Sequence, residues 1–134
     1  MRIFFKTVDI PVNRNNKISA YKSFLKVEQR LLNGMSVIIF PEGKIGNEFP
    51  PLLHEFKNGP FKLAIKHKIP ILPISIQNNW EILWDDGQKY GCKPGFSHIC
   101  IHEVIETKDF DTDDEEVLKQ LVYEKIASAL AYKL

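Results

Sequence analysis

Four consecutive apolar residues, Val37-Ile38-Ile39-Phe40, follow a helical pattern and a glycine. The run is too short for a helix and rich in β-branched residues, so it predicts a strand. With no polar alternation, that strand is expected to be buried on both faces. A helix leading into a doubly buried strand is the pattern of a parallel sheet, and it constrains the fold more than any other feature of the chain. The helix itself is well marked. Asn15 and Asn16 suit its N-cap, and Ile18, Tyr21, Leu25 and Leu32 recur at helical spacing from Lys17. Phe24, Val27 and Leu31 widen the stripe, and Gly34 closes the C-terminus.

The rest of the chain is punctuated in the same way. Ile3-Phe4-Phe5 is β-prone, and Val8 to Arg14 reads as extended because Pro11 fixes its own φ and biases Ile10 away from helix. Pro41 to Gly59 is a loop whose length implies function or disorder. Gly59-Pro60 starts a helix that turns Phe61, Ala64 and Ile65 to one side. Ile69 to Ile76 is a second apolar strand, which Pro70 and Pro73 place at an edge, an end or a bulge. Asn78 to Pro94 is irregular. Ser97 to Ile105 alternates, Ile99 and Ile101 against His98, Cys100 and His102, as a strand does. Thr112 with Glu115 forms a capping box before a final helix with Leu118, Leu121, Val122, Ile126, Ala129 and Leu130 as its apolar face. The expected fold is α/β: a mixed, largely parallel sheet flanked by helices.

The chain has 134 residues, the length of one domain over 1–134, and its 18 Lys and Arg against 17 Asp and Glu leave a net charge of +1. That balance argues against nucleic acid as a partner, since such binders carry a basic excess. Two cysteines preclude a disulfide scaffold. No run approaches the roughly 20 apolar residues of a membrane helix, and no signal peptide opens the chain. Gly43-Lys44 is no phosphate-binding P-loop, because the earlier Gly is missing and Ile45 replaces Ser or Thr. Nothing implies a cofactor.

The densest candidate site is Phe40-Pro41-Glu42-Gly43-Lys44, just beyond the carboxyl end of the predicted strand, where α/β sheets bind ligands. Gly43 lets backbone amides approach a ligand, Glu42 would organise those amides or a nearby Arg, and Lys44 would meet a phosphate as a point charge. On spacing alone, the block reads equally as a plain turn with two solvated charges. Arg14, between an extended segment and a helix start, is placed to grip a phosphate with two parallel hydrogen bonds, or to pair with an acidic neighbour. Cys92, His98, Cys100 and His102 are zinc-ligand types, but residues on one flat strand face do not converge on a tetrahedral ion. Asp109-x-Asp111-x-Asp113 fails as a calcium loop, with Asp114 and Gln120 where Gly and Glu are needed. No metal is expected. Lys57, Lys62, Lys66 and Lys68, near Phe56 and Phe61, form either a patch for anionic lipid or a solvated helix face. Trp80 and Trp84 are either interfacial anchors or core residues.

Three blocks in order are similar to one family. Phe40-Pro41-Glu42-Gly43, then Phe56-Lys57-Asn58-Gly59-Pro60-Phe61-Lys62-Leu63-Ala64, then Ile69-Pro70-Ile71-Leu72-Pro73-Ile74 resemble the glycerolipid acyltransferases typified by 1-acyl-sn-glycerol-3-phosphate acyltransferase. The first and last resemble that family's third and fourth motifs, and Val8 to Arg14 resembles its second. The resemblance runs from about Phe4 to at least Val104. It implies acyl transfer from acyl-CoA or acyl-carrier protein to the hydroxyl of a lysophospholipid in phospholipid biosynthesis. Arg14, Glu42, Gly43 and Lys44 would bind the acceptor phosphate and organise the site, and Ile69 to Ile74 would support the acyl side. Family catalysis uses a His-x4-Asp motif, whose His is the general base. Here the residues five places after His54, His67, His98 and His102 are Gly59, Leu72, Glu103 and Thr107. Val8 and Pro11 replace the usual Gly and Phe of the second motif, and Lys44-Ile45 replaces a hydroxyl residue and Arg in the third. The implied reading is the C-terminal part of an acyltransferase domain whose dyad lies upstream, with Met1 internal. Such a protein is expected at the cytoplasmic face of a membrane, peripheral or anchored through its N-terminal part. The chain alone would be inactive, with exposed apolar surface. The alternative is a non-catalytic lipid- or phosphate-binding module.

Overall fold

The computed structural model describes residues 9–12, 17–44, 46–48, 51–84 and 91–130. The backbone divides into two compact units, Met1–Ile39 and Phe40–Leu134. The predicted strand at Ile3–Phe5 lies outside the described residues.

In the first unit, helix α1 spans Lys17–Leu32. Its end is a Schellman closure: Met35 N–H donates to Arg30 O and Gly34 N–H to Leu31 O, with Gly34 at φ +77°. The predicted stripe is not the buried side, because Ile18, Tyr21, Leu25 and Leu32 are all exposed. Ser23 is the buried residue instead, its hydroxyl 2.7 Å from Pro11 O and 3.0 Å from Ser19 O. A small side chain lets the extended Pro11 segment close on the helix, and the larger apolar residues point elsewhere.

The second unit holds α2 (Gly59–His67), β1 (Ile74–Ile76), a short α3 (Asn79–Ile82), β2 (Ile99–Ile101), a 3-10 turn (Thr112–Asp114) and α4 (Glu115–Ala129). The core forms where α2 and α4 meet. Phe56, Phe61, Ile65, Ile105, Leu118 and Val122 are buried together, with Leu53, Ile71, Phe110 and Tyr123 packed around them. Helix α2 begins with Pro60 in its first turn, where a missing N–H costs nothing. It ends with Lys68 in the left-handed region at φ 52°, an uncommon place for a residue with a Cβ. Tertiary bonds hold it there: Lys68 Nζ donates to Phe110 O at 2.6 Å, and the buried Thr107 hydroxyl lies 3.0 Å from Ile69 O.

Two expectations for the sheet are not met among the described residues. Among the described residues it is a two-stranded antiparallel pair, Ile74 opposite Ile101 and Ile76 opposite Ile99, rather than a largely parallel sheet. Val37–Phe40 forms no strand, and Ile38 and Phe40 are 86% and 76% exposed rather than buried. A parallel strand needs a paired neighbour, and no described residue pairs with this run. The prolines act as predicted. An isolated bridge, Ile71 to Ile105, is separated from β1 by two residues on one side and from β2 by three on the other. One extra residue makes a bulge beside the buried Pro73.

The alternation of β2 is present, but its polar side faces the helix. The buried Ser75 hydroxyl donates to Ile126 O of α4 at 3.0 Å and lies 2.8 Å from His102 Nε2, while Gln77 Nε2 donates to Ala129 O at 2.5 Å. Strand β1 thereby satisfies carbonyls of the last turn of α4, which have no partner within the helix. The opposite face, Ile74, Ile76, Ile99 and Ile101, is exposed. The capping box also sits one residue earlier than predicted, on Asp111 and Asp114, and starts the 3-10 turn rather than α4.

A polar cluster ties the two large helices of this unit. Lys119, buried despite its charge, is 2.6 Å from Glu116, 3.6 Å from Glu55 and 3.2 Å from Asn58 Oδ1, and Asn58 also donates to Glu116 at 3.0 Å. Hydrogen bonds from Lys119 and Asn58 hold the Glu116 carboxyl below its ordinary range, and Glu116 holds the Lys119 ammonium above its own. A depressed carboxylate contributes stability that is present above its ordinary pKa and lost as pH falls through the folded value. A raised ammonium contributes stability that is present below its ordinary pKa and lost as pH rises through the folded value. The cluster therefore acts across the neutral range. We expect Lys119→Met to lower the melting temperature at neutral pH and to flatten its fall in acid; an acid limb as steep as before would show that the cluster contributes nothing. Leu118→Ala should destabilise the second unit by about 2–5 kcal/mol in denaturant unfolding, because Leu118 is fully buried at the helix crossing.

Candidate functional site: the Pro41–Lys57 loop

The Phe40–Gly43 segment is a tight turn. Gly43 N–H donates to Phe40 O at 3.3 Å, and Gly43 sits at φ +67°, where a side chain would be strained. Two bonds from the far end of the loop hold this turn. Glu42 Oε2 accepts the His54 backbone N–H at 2.8 Å, and Lys57 N–H donates to Pro41 O at 2.8 Å. Between those two donors, Phe56 is 2% exposed, stacked on Phe61 with ring centroids 6.3 Å apart and edge-on to Tyr123 at 5.2 Å. The core therefore sets the position of the residues that grip the turn.

Within the loop, His54 Nε2 lies 3.2 Å from Glu48 Oε2. Gly46 packs against this pair so closely that a Cβ there would overlap both the Glu48 carboxylate and the His54 ring. The Glu48 carboxyl is held below its ordinary range, chiefly by a hydrogen bond from its own backbone, then by His54 and Lys44, against the opposing effect of desolvation.

Three of the four sequence candidates meet at this turn. Of the two roles open to Glu42, its carboxylate organises an amide, though one that lies across the loop rather than in its own turn. Gly43 supplies the left-handed corner. Lys44 is exposed and close enough to Glu48 to act on its charge. Arg14 lies outside the described residues. Three participants, Gly46, Glu48 and His54, escaped the sequence reading. Gly46 and the His54–Glu48 pair carry no pattern beyond a glycine, a carboxylate and a histidine in one loop. Lys57 reads from sequence as part of either a patch for anionic lipid or a solvated helix face; it precedes α2, and its side-chain stem lies 3.4 Å from where a Gly43 Cβ would stand. The result is a glycine-cornered turn with two exposed lysines beside it, an arrangement that suits an anion. The zinc-type residues are arranged differently: His102 turns its ring to Ser75, and Cys92 pairs through its backbone with Leu83. Among the described residues, no three His, Cys, Asp or Glu gather as a metal site, and no helix is long and apolar enough to cross a membrane.

Comparison with known proteins places this loop in a family. A family model described as "Acyltransferase" matches residues 1–77, more than half of the chain. An uncharacterised acyltransferase of Schizosaccharomyces pombe is 33% identical over 67 residues, which is 49% of this chain and 24% of that protein. A 1-acyl-sn-glycerol-3-phosphate acyltransferase of Chlamydomonas reinhardtii is 26% identical over 101 residues, 75% of this chain and 30% of that protein. The crystal structure of the 1-acyl-sn-glycerophosphate acyltransferase PlsC from Thermotoga maritima superposes with a TM-score of 0.66 at 28% identity, over 81% of this chain and 43% of that one. The chain thus spans less than half the length of each of these proteins, and within that span its fold is that of the PlsC acyltransferase. The Phe-Pro-Glu-Gly turn lies inside the matched residues, and this chain belongs to the acyltransferase family.

Proposed function

We propose that the chain is the headgroup-binding part of a lysophospholipid acyltransferase, acting on 1-acyl-glycerol-3-phosphate or a similar lysolipid with acyl-CoA or acyl-carrier protein as donor. The observation that carries this reading is the Pro41–Gly43 turn, clamped by Glu42 to the His54 amide and by Lys57 to Pro41 O within the residues that match the family. In the proposed reaction, the acceptor hydroxyl oxygen bonds to the thioester carbonyl carbon. The carbon–sulfur bond breaks, the thiol leaves, and a general base takes the hydroxyl proton. Gly43 and Lys44 would receive the acceptor phosphate, Glu42 would keep the turn in shape, and Arg14 would add a bidentate grip. The general base would come from a His-x4-Asp that the 134 residues do not contain. The exposed apolar face of Ile74, Ile76, Ile99 and Ile101 supports a larger domain, since a contiguous apolar patch marks a surface that another element covers. The protein would work at the cytoplasmic surface of a membrane, where its lysolipid acceptor resides.

The 134-residue chain should show no turnover of acyl-CoA with lysophosphatidic acid, because a general base is worth about 10²–10⁴-fold. Robust turnover by the purified chain would show that it carries a base of its own. If the reading frame upstream of Met1 encodes His-x4-Asp, the extended protein should be active. A stop codon adjoining Met1 favours the non-catalytic phosphate-binding module instead. In the extended protein, Arg14→Ala should raise KM for the lysophosphatidic acid about tenfold or more, as expected for a charge-assisted pair. Glu42→Ala should lower kcat/KM about a hundredfold by releasing the turn, the cost of misplacing a binding element by about an ångström. Full activity in both variants would refute the site assignment. Gly46→Ala tests the loop from its other side. The added methyl displaces only the ends of the Glu48 and His54 side chains and leaves the His54 amide on Glu42, so kcat/KM should fall far less than in Glu42→Ala, with the melting temperature of the Phe56–Leu118 core nearly unchanged.

A further inference from the structure

We propose that Lys57, rather than Lys44, is the principal cation for the phosphomonoester at the Pro41–Lys44 turn. The inference rests on reading that turn as the acceptor-headgroup site, and it names the residue that recognises the charge.

Four facts support it. The Lys57 backbone is fixed to the turn, its N–H donating to Pro41 O at 2.8 Å. Its Cγ lies 3.4 Å from where a Gly43 Cβ would stand, so the side chain leaves from beside the glycine corner of the turn. It is exposed and, among the described residues, has no carboxylate within ion-pair distance. The neighbouring lysines are engaged: Lys62 with Glu115 at 3.5 Å, and Lys68 with Asp111 at 3.8 Å and Phe110 O at 2.6 Å.

Lys44, like Lys57, has no carboxylate within ion-pair distance among the described residues, but nothing ties its side chain to Gly43, and its charge acts on Glu48 rather than on the turn. The loop has three carboxylates, and each has another partner: Glu42 is turned to the His54 amide, Glu48 to the His54 ring, and Glu55 to Lys119 at 3.6 Å. A lysine suits this position because its compact charge on a flexible stem can follow a phosphate without a fixed geometry.

The test is a titration of the 134-residue chain with sn-glycerol 3-phosphate, followed by backbone amide chemical shifts, with glycerol as the uncharged control. The amides of Gly43 and Lys57 should shift with glycerol 3-phosphate and not with glycerol. Lys57→Gln should weaken that binding about tenfold, the worth of one charge-assisted hydrogen bond. Lys57→Arg should retain most of it, and Lys44→Gln should lose less than Lys57→Gln. The dispersion of each spectrum shows whether the variant is folded. No binding by the unsubstituted chain, an equal response to glycerol, or a larger loss in Lys44→Gln would overturn the proposal. Because the probe lacks an acyl chain and the assay needs no turnover, Lys57-dependent binding stands even if the extended protein proves to transfer no acyl group.

Discussion

The burial of Phe56 is the contact on which the loop depends. Its ring is sealed between Phe61 and Tyr123, and its neighbours in sequence make the two bonds that define the turn. Closing a loop the length of Pro41–Lys57 costs conformational entropy that grows with the logarithm of its length. Burying one aromatic side chain offsets a good part of that, at roughly 1.5–3 kcal/mol. A segment broken up by proline and glycine thus becomes a defined structure without secondary structure of its own. The core of α2 and α4 is in this sense the foundation of the candidate site.

The electrostatics of the loop follow from the same closure. Two carboxylates so near an anion site would be a liability if they faced it. Here one is held by a backbone amide and the other by an imidazole, so each serves the shape of the loop. What remains beside the turn is positive charge and the backbone of Gly43. The Lys119 cluster performs the analogous task deeper in the unit, where it joins Asn58 at the start of α2 to α4 through paired and hydrogen-bonded charges. A buried lysine is tolerated there because acceptors surround it.

Much of this was legible in the residues, though unevenly. Gly34 announced the end of α1, Pro60 the start of α2, and Pro70 and Pro73 the broken strand, because each acts through its own backbone. Lys68 gave no such notice: it occupies a left-handed position that glycine usually fills, and only Phe110 and Thr107, about forty residues on, make that tolerable. Alternation located β2 but did not say which side would meet α4. Ser75 and Gln77 settle that by bonding helix carbonyls, and the isoleucines are left on the open face. Val37–Phe40 reads as a strand from composition, yet a strand exists only where another one pairs with it.

The sequence by itself determined the family blocks, the end of α1, the start of α2 and the glycine corner at Gly43, since these rest on local conformational preference and on residue identity. It also showed that no His-x4-Asp lies within the 134 residues. Tertiary structure alone decided that Glu42 reaches the His54 amide, that Gly46 makes room for His54 and Glu48, and that Lys57 lies across Gly43. Those contacts join residues separated along the chain, and their geometry is set by where Phe56 enters the core, which no local pattern encodes.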